Sequence, residues 1–139
     1  MTIDTSTYSV IESHLDRISC IEFWDIDIVC IKLKEEVHIE LEDIKAQRYF
    51  LSNKYDGYNK HLILVETNAN GSISKEAREF SAKPEMNSTT KATAIISNSL
   101  ADRILINFIV KFTKNYAVKM KMFENKQKAI DWLLSFKQY

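Results

Sequence analysis

The chain has 139 residues, a length that suits one domain with interior enough to fold without metal or disulfide staples. Lysine plus arginine and aspartate plus glutamate stand at 19 each, so no net field draws the protein to nucleic acid or anionic lipid. Hydrophobic content of 45%, with only two glycines and one proline, excludes a disordered chain, a collagen-like repeat and a glycine-rich phosphate loop.

Residues 1 to about 7 are polar and threonine-rich, which predicts a loose terminus. The stretch MTIDTSTYSV lacks a basic region followed by an apolar one, and no apolar run nears the ~20 residues that span a bilayer. Together these predict a cytoplasmic, bacterial-type domain without a transmembrane segment. From Ile18 to Phe23 and from Ile28 to Leu33 the residues are β-branched, aromatic and partly alternating, with Trp24-Asp25-Ile26-Asp27 as the turn. Two strands so tightly connected are expected to be antiparallel. A hairpin turning near Asp25 sets Cys20 and Cys30 nearly opposite each other, as reduced thiols, because disulfide geometry seldom fits facing strand positions.

A helix is predicted from Leu41 or Glu42, with Leu41, Ile44, Leu51 and Tyr55 along one face. Its first turn is crowded by Glu40, Glu42 and Asp43, where the helix dipole favours negative charge, and Asp56-Gly57 ends it. The run His61 to Glu66 reads as a central strand buried on both faces. After the loop Thr67 to Ser72, Ser74 is placed to cap a helix from Lys75 to about Ala82, stopped ahead of Pro84. A strand from Ala92 to Ile96 and caps at Ser97 to Ser99 lead to the longest helix, about Leu100 to Lys114. Its stripe is Ala101, Ile104, Leu105, Phe108, Ile109 and Phe112. Val118, Met120 and Met122 alternate with Lys119 and Lys121, the pattern of a sheet-edge strand. Asn125 caps a final helix with Ala129, Ile130, Leu133, Leu134 and Phe136 inward.

The order that results is an antiparallel strand pair, a helix, then three strand–helix units: an α/β domain with a four- or five-stranded, mostly parallel sheet over residues 1–139. Ile39 to Ile44, Leu62 to Glu66, Ser74 to Phe80, Ala92 to Ser97 and Phe123 to Leu134 carry a resemblance to the STAS domain, the SpoIIAA-like fold. It covers roughly residues 18 to 137. The resemblance implies a non-enzymatic regulatory domain. In antagonists of that family the loop after the central strand carries Asp-Ser-Ser/Thr-Gly, whose serine a partner kinase phosphorylates. Here the stretch is Thr67-Asn-Ala-Asn-Gly-Ser-Ile-Ser74, without the acidic residue or the following glycine. It is more similar to the uncharacterised STAS/SEC14-like bacterial branch, for which a protein or small apolar ligand is implied.

In open α/β sheets, ligands sit beyond the carboxyl ends of the strands. That rim gathers Thr67, Asn68, Asn70, Ser72 and Ser74 from one loop and Ser97, Asn98 and Ser99 from the next, with Lys75, Arg78 and Arg103 in the first helical turns. Exposed helix N-termini there suit a partner or an anion. Capping is the plainer account of Ser74, Ser97 and Ser99. Ser72 and Ser74 are the candidate phosphosites. On the long helix Ile106 and Val110 fall outside the main stripe and mark a candidate dimer contact, although single exposed aliphatics are also ordinary surface.

His38-x-Glu40-x-Glu42 lacks the second cluster a zinc site needs, and no CxxC, GxSxG, GxGxxG or GxxxxGK[ST] is present. No cofactor, metal or catalytic residue is therefore assigned. The first expectation is a non-enzymatic STAS-like module that binds a protein partner or itself. The alternative is a carrier or sensor of a small apolar or lipid-like ligand, held between the sheet and the long helix at Ile104, Phe108 and Phe112.

Overall fold

The computed structural model describes residues 8–67, 71–81, 83, 89–97 and 119–137. The expected loose terminus and the expected long helix lie outside these residues. Within them the main sheet has six strands in the order β1 (Val10–Leu15), β2 (Ser19–Trp24), β3 (Ile28–Leu33), β5 (His61–Thr67), β7 (Thr90–Ser97) and β8 (Lys119–Phe123). β1, β2 and β3 are antiparallel neighbours, and β3, β5, β7 and β8 run parallel. Val65 pairs with Ile95, so the two central strands share one sheet and one direction. Two short strands, β4 (His38–Ile39) and β6 (Ser72–Ile73), form a separate parallel ribbon. The described helices are α1 (Leu41–Asn53), α2 (Lys75–Ser81) and α3 (Lys126–Leu134).

The sheet carries one strand more than the four or five predicted. The addition is β1, whose sequence Val-Ile-Glu-Ser-His-Leu shows no clean alternation because nearly all of it faces solvent. The hairpin also turns one residue later than Asp25. Cys20 pairs with Lys32 and Cys30 with Glu22, so the two free thiols share a face but stand two positions out of register.

Alternation along β5 supplies both cores. Leu62 and Leu64 face one side with Trp24, Ile28, Cys30, Ala92 and Ala94, and α3 closes that layer with Ala129, Ile130 and Leu133. The alanines of β7 remove bulk where the helix lies down, so Ile130 and Leu133 are fully buried. Ile63 faces the other side with Ile21, Val29 and Ile31, under Leu51 of α1. Each such aliphatic contributes about 1.5–3 kcal/mol by leaving water.

Two polar anchors set α1 on its layer. The Gln47 amide donates to Ser19 Oγ at 3.2 Å, and that hydroxyl donates to Asp16 Oδ1 at 3.0 Å in the β1–β2 turn. At the helix start Asp43 accepts the Glu40 amide proton at 2.8 Å and closes a capping contact. Arg17 grips the same carboxylate through Nε at 2.8 Å and through Nη2.

Arg17's hydrogen bond holds the Asp43 carboxyl below its ordinary range. A carboxylate so depressed adds stability that is complete above its unfolded pKa and is lost as pH falls through the native value. Asp43→Ala is expected to destabilise the fold by about 1 kcal/mol at pH 7, the usual cost of a lost cap. The deficit should shrink below about pH 4, where Asp43 of the unfolded chain protonates, and disappear as pH falls through the lower native value. Urea titrations of both proteins across that range check this; a deficit constant with pH contradicts it.

Candidate functional site

Beyond the carboxyl ends of β3 and β5 the chain forms the β4–β6 ribbon, and each strand of the ribbon runs directly into a helix. Residue 71 must be glycine for this to happen: a Cβ there would lie 2.6 Å from the Val37 carbonyl oxygen. The close approach lets the Ser72 amide donate to Val37 O at 3.1 Å and the Ser74 amide to Ile39 O at 2.9 Å. The register sets His38 opposite Ser72.

Their side chains meet. His38 Nδ1 lies 2.5 Å from Ser72 Oγ, and Nε2 lies 3.1 Å from Glu40 Oε1. With Glu40 ionised, Nε2 carries the proton and Nδ1 accepts from the serine hydroxyl. The His38 carbonyl takes Arg17 Nη2 at 2.6 Å, which ties the ribbon to the Arg17–Asp43 anchor. The order carboxylate, imidazole, hydroxyl polarises Ser72 Oγ. Turnover of an acyl substrate needs donors for an oxyanion as well, and the Ser72 and Ser74 amides are already committed to Val37 and Ile39. The arrangement suits a serine that is recognised or modified.

Ser74 differs from Ser72. Its Oγ accepts the Ala77 amide at 3.1 Å, so it is the cap of α2, as its position predicts. Lys75, at the start of α2, pairs with Glu79 at 3.9 Å, and Arg78 is half-buried on the next turn. Lys45 of α1 stands 5.7 Å from the Phe80 ring, joining the two helices beside the ribbon. Thr67 and Ser97 are register partners at the ends of β5 and β7, with Ser97 buried. Asn68, Asn70, Asn98, Ser99 and Arg103 lie outside the described residues, as do Ile106 and Val110 and the lining residues Ile104, Phe108 and Phe112.

His38 and Glu40 are the rim residues that spacing along the chain undervalues. A histidine two positions from a glutamate in an extended segment reads as half a metal site, whereas its partner is a serine 34 residues away. Among the described residues no histidine, cysteine or carboxylate cluster fit for a metal occurs. The clue in the chain is Gly71, one of two glycines, directly ahead of Ser72.

Two other polar features belong to the sheet layers. On the α3 side Glu22 accepts Trp24 Nε1 at 3.0 Å and pairs with Lys32 at 3.2 Å; Lys126 pairs with Glu66 at 2.9 Å. Burial opposes ionisation of Glu22, yet the bonds from Trp24 and Lys32 hold its carboxyl below the usual value. Every charge in that group is matched, and burial pushes the Cys30 thiol up, which leaves it unreactive. Arg48 of α1 is the opposite case. It follows Ile44 by four positions and precedes Leu51 by three, so it lies half-buried at the border of the stripe formed by Ile44, Gln47 and Leu51. Its Nε is sealed from solvent without a hydrogen-bond partner, and burial pushes its pKa down.

The chain matches the family described as "Domain of unknown function (DUF7793)" over residues 23–137. None of the curated proteins matches it. Among solved structures it is similar to an uncharacterised protein of the DUF3478 family from Shewanella loihica PV-4, which has a SpoIIAA-like fold. Identity is 17%, the match covers 91% of this chain and 93% of that one, and the TM-score is 0.57. The likeness shows a SpoIIAA-like fold. Among the described residues no helix is long and apolar enough to cross a membrane.

Gly71→Ala is expected to force β6 off β4 and part His38 from Ser72 while leaving the main sheet intact. Amide exchange read by NMR should speed up at Ser72 and Ser74 by about tenfold or more and stay unchanged at Val65 and Ile95. Unchanged protection at Ser72 would contradict the close packing at residue 71.

Proposed function

The chain belongs to the DUF7793 family and has a SpoIIAA-like fold, and from that footing we propose that it is a non-enzymatic regulatory domain of STAS type. It acts in the cytoplasm by binding a protein partner through the β4–β6 ribbon and the start of α2. The observation that carries this is the contact of His38 with the exposed Ser72 on a ribbon held by Gly71. Thr67, Ser74, Lys75, Arg78 and Ser97 border the surface, and Asn68, Asn70, Asn98, Ser99 and Arg103 extend it along the chain.

Of the two candidate phosphosites, Ser72 is the one used. Ser74 Oγ is occupied as a helix cap, whereas Ser72 Oγ is exposed and hydrogen-bonded to an imidazole. A phosphate there adds about −1.5 to −2 charge, removes the hydroxyl proton that faces His38 and sets like charge near Glu40. That change in sign and size is what a partner would read. Mass spectrometry of protein tagged and purified from its native cells should find phosphate on Ser72 and a defined co-purifying protein. Ser72→Glu should alter recovery of that protein by about tenfold. Phosphate on Ser74 alone, or a partner indifferent to Ser72→Glu, counts against the proposal.

Arg48 favours a second function, carriage or sensing of a small lipid-like ligand with an anionic head. Arg48 is half-buried, and a guanidinium nitrogen sealed from solvent without a partner is destabilising unless something satisfies it. A carboxylate at one end of an aliphatic chain would do so within an apolar layer. Arg48→Met is expected to raise the stability of the ligand-free protein by about 1–4 kcal/mol. Dodecanoate should raise the melting temperature of the wild type and leave that of the variant unmoved. Equal shifts in both proteins, or none in the wild type, dismiss the carrier function.

A further inference from the structure

β1 is the terminal strand of the main sheet, and it is dressed differently from the opposite edge. β8 presents Lys119 and Lys121, charges of the kind that discourage edge pairing. β1 has no lysine or proline and exposes Ile11 and Leu15, each 70% accessible, with Val10 beside them. The Asp16 amide donates to Ser19 O, so the even-numbered amides of the strand point to β2. Those of Ser13 and Leu15 therefore face the open side.

We infer that two copies of this chain join edge to edge, β1 antiparallel to β1, about a two-fold axis through Ser13. The segment Ile11-Glu12-Ser13-His14-Leu15 reads as a palindrome of chemical types: apolar, acidic, small polar, basic, apolar. Paired about Ser13, Ile11 lies opposite Leu15 of the second copy, and Glu12 lies opposite its His14. Both pairs occur twice. Facing side chains in such ladders approach within about 5 Å, close enough for the apolar pair to cover itself and for the carboxylate to accept a hydrogen bond from the imidazole.

The backbone restricts the choice of register further. With odd-numbered amides outward, the pairing can slide only in steps that keep odd residues facing odd ones. One step in one direction puts Glu12 against Glu12. One step in the other puts Glu12 against Asp16. Like charges oppose both, so the register centred on Ser13 is singled out. The side chains are also held in place beforehand: Glu12 pairs with Lys54 at 2.6 Å, and the His14 ring stacks on Phe50 at 4.0 Å. The bulge between Val10 and Glu12 falls at Ile11, so the two outer pairs bend while the three central pairs, Glu12–His14, Ser13–Ser13 and His14–Glu12, stay regular. A closed two-fold contact of this kind uses up both edges and does not propagate. It is independent of the ribbon and of the function proposed for it.

Sedimentation equilibrium of the full chain tests this. At about 100 µM the wild type should run at twice the chain mass. Ser13→Pro removes an amide that faces away from β2, so the β1–β2 ladder survives. Leu15→Lys puts a charge on the seam. Each should weaken the dimer by about tenfold or more, with circular dichroism and melting unchanged once measured at monomeric concentration. A wild type that stays monomeric, alone or bound through β1 to a different protein, overturns the inference. So does a dimer that neither substitution weakens.

Discussion

The structure depends on β5 being enclosed on both faces and both edges. Parallel neighbours can be linked only by crossovers, and crossovers put helices over the sheet, so a strand between two parallel partners has no face left for water. His61 to Val65 meets that demand with alternating aliphatics, Leu62 and Leu64 to one layer and Ile63 and Val65 to the other. Direction follows from the same constraint. Because β3, β5 and β7 point the same way, the segments leaving β3 and β5 emerge at one rim and pair again as β4 and β6.

That second pairing sets the rim apart from the buried layers. The layers bury hydrocarbon, and among the described residues Glu22, Lys32, Glu66 and Lys126 are matched while Arg48 Nε has no partner. The rim carries half-exposed polar groups held by main-chain bonds from Val37 and Ile39 and by the Arg17–Asp43 clamp. Side chains at the ribbon can change without reopening either core. At Gly71 a change breaks the ribbon itself, since no side chain fits against Val37.

Much of this was legible in the chain. The β2–β3 hairpin, the buried β5, the lysine-bearing edge strand β8 and the caps at Ser74 and Asn125 each follow from a local rule that the packing respects. β1 was not legible, because a strand exposed on most of its length shows no burial alternation to read. The ribbon was hidden for a different reason. Two-residue strands have no periodicity, and the meeting of His38 with Ser72 depends on two crossovers arriving at one place. Arg48 was concealed within an amphipathic stripe, where a long cationic side chain ordinarily escapes to the surface.

The alanines of β7 carry a further consequence. Ala92 and Ala94 form a shallow floor that Ile130 and Leu133 of α3 fill, and α3 follows every strand of the sheet in the chain. In a polypeptide made from its amino terminus, the strands that form this floor leave the ribosome before the helix that packs on it. Closure of that layer thus waits for α3, and a nascent chain halted before Lys126 would lack the side chains that cover Ala92 and Ala94.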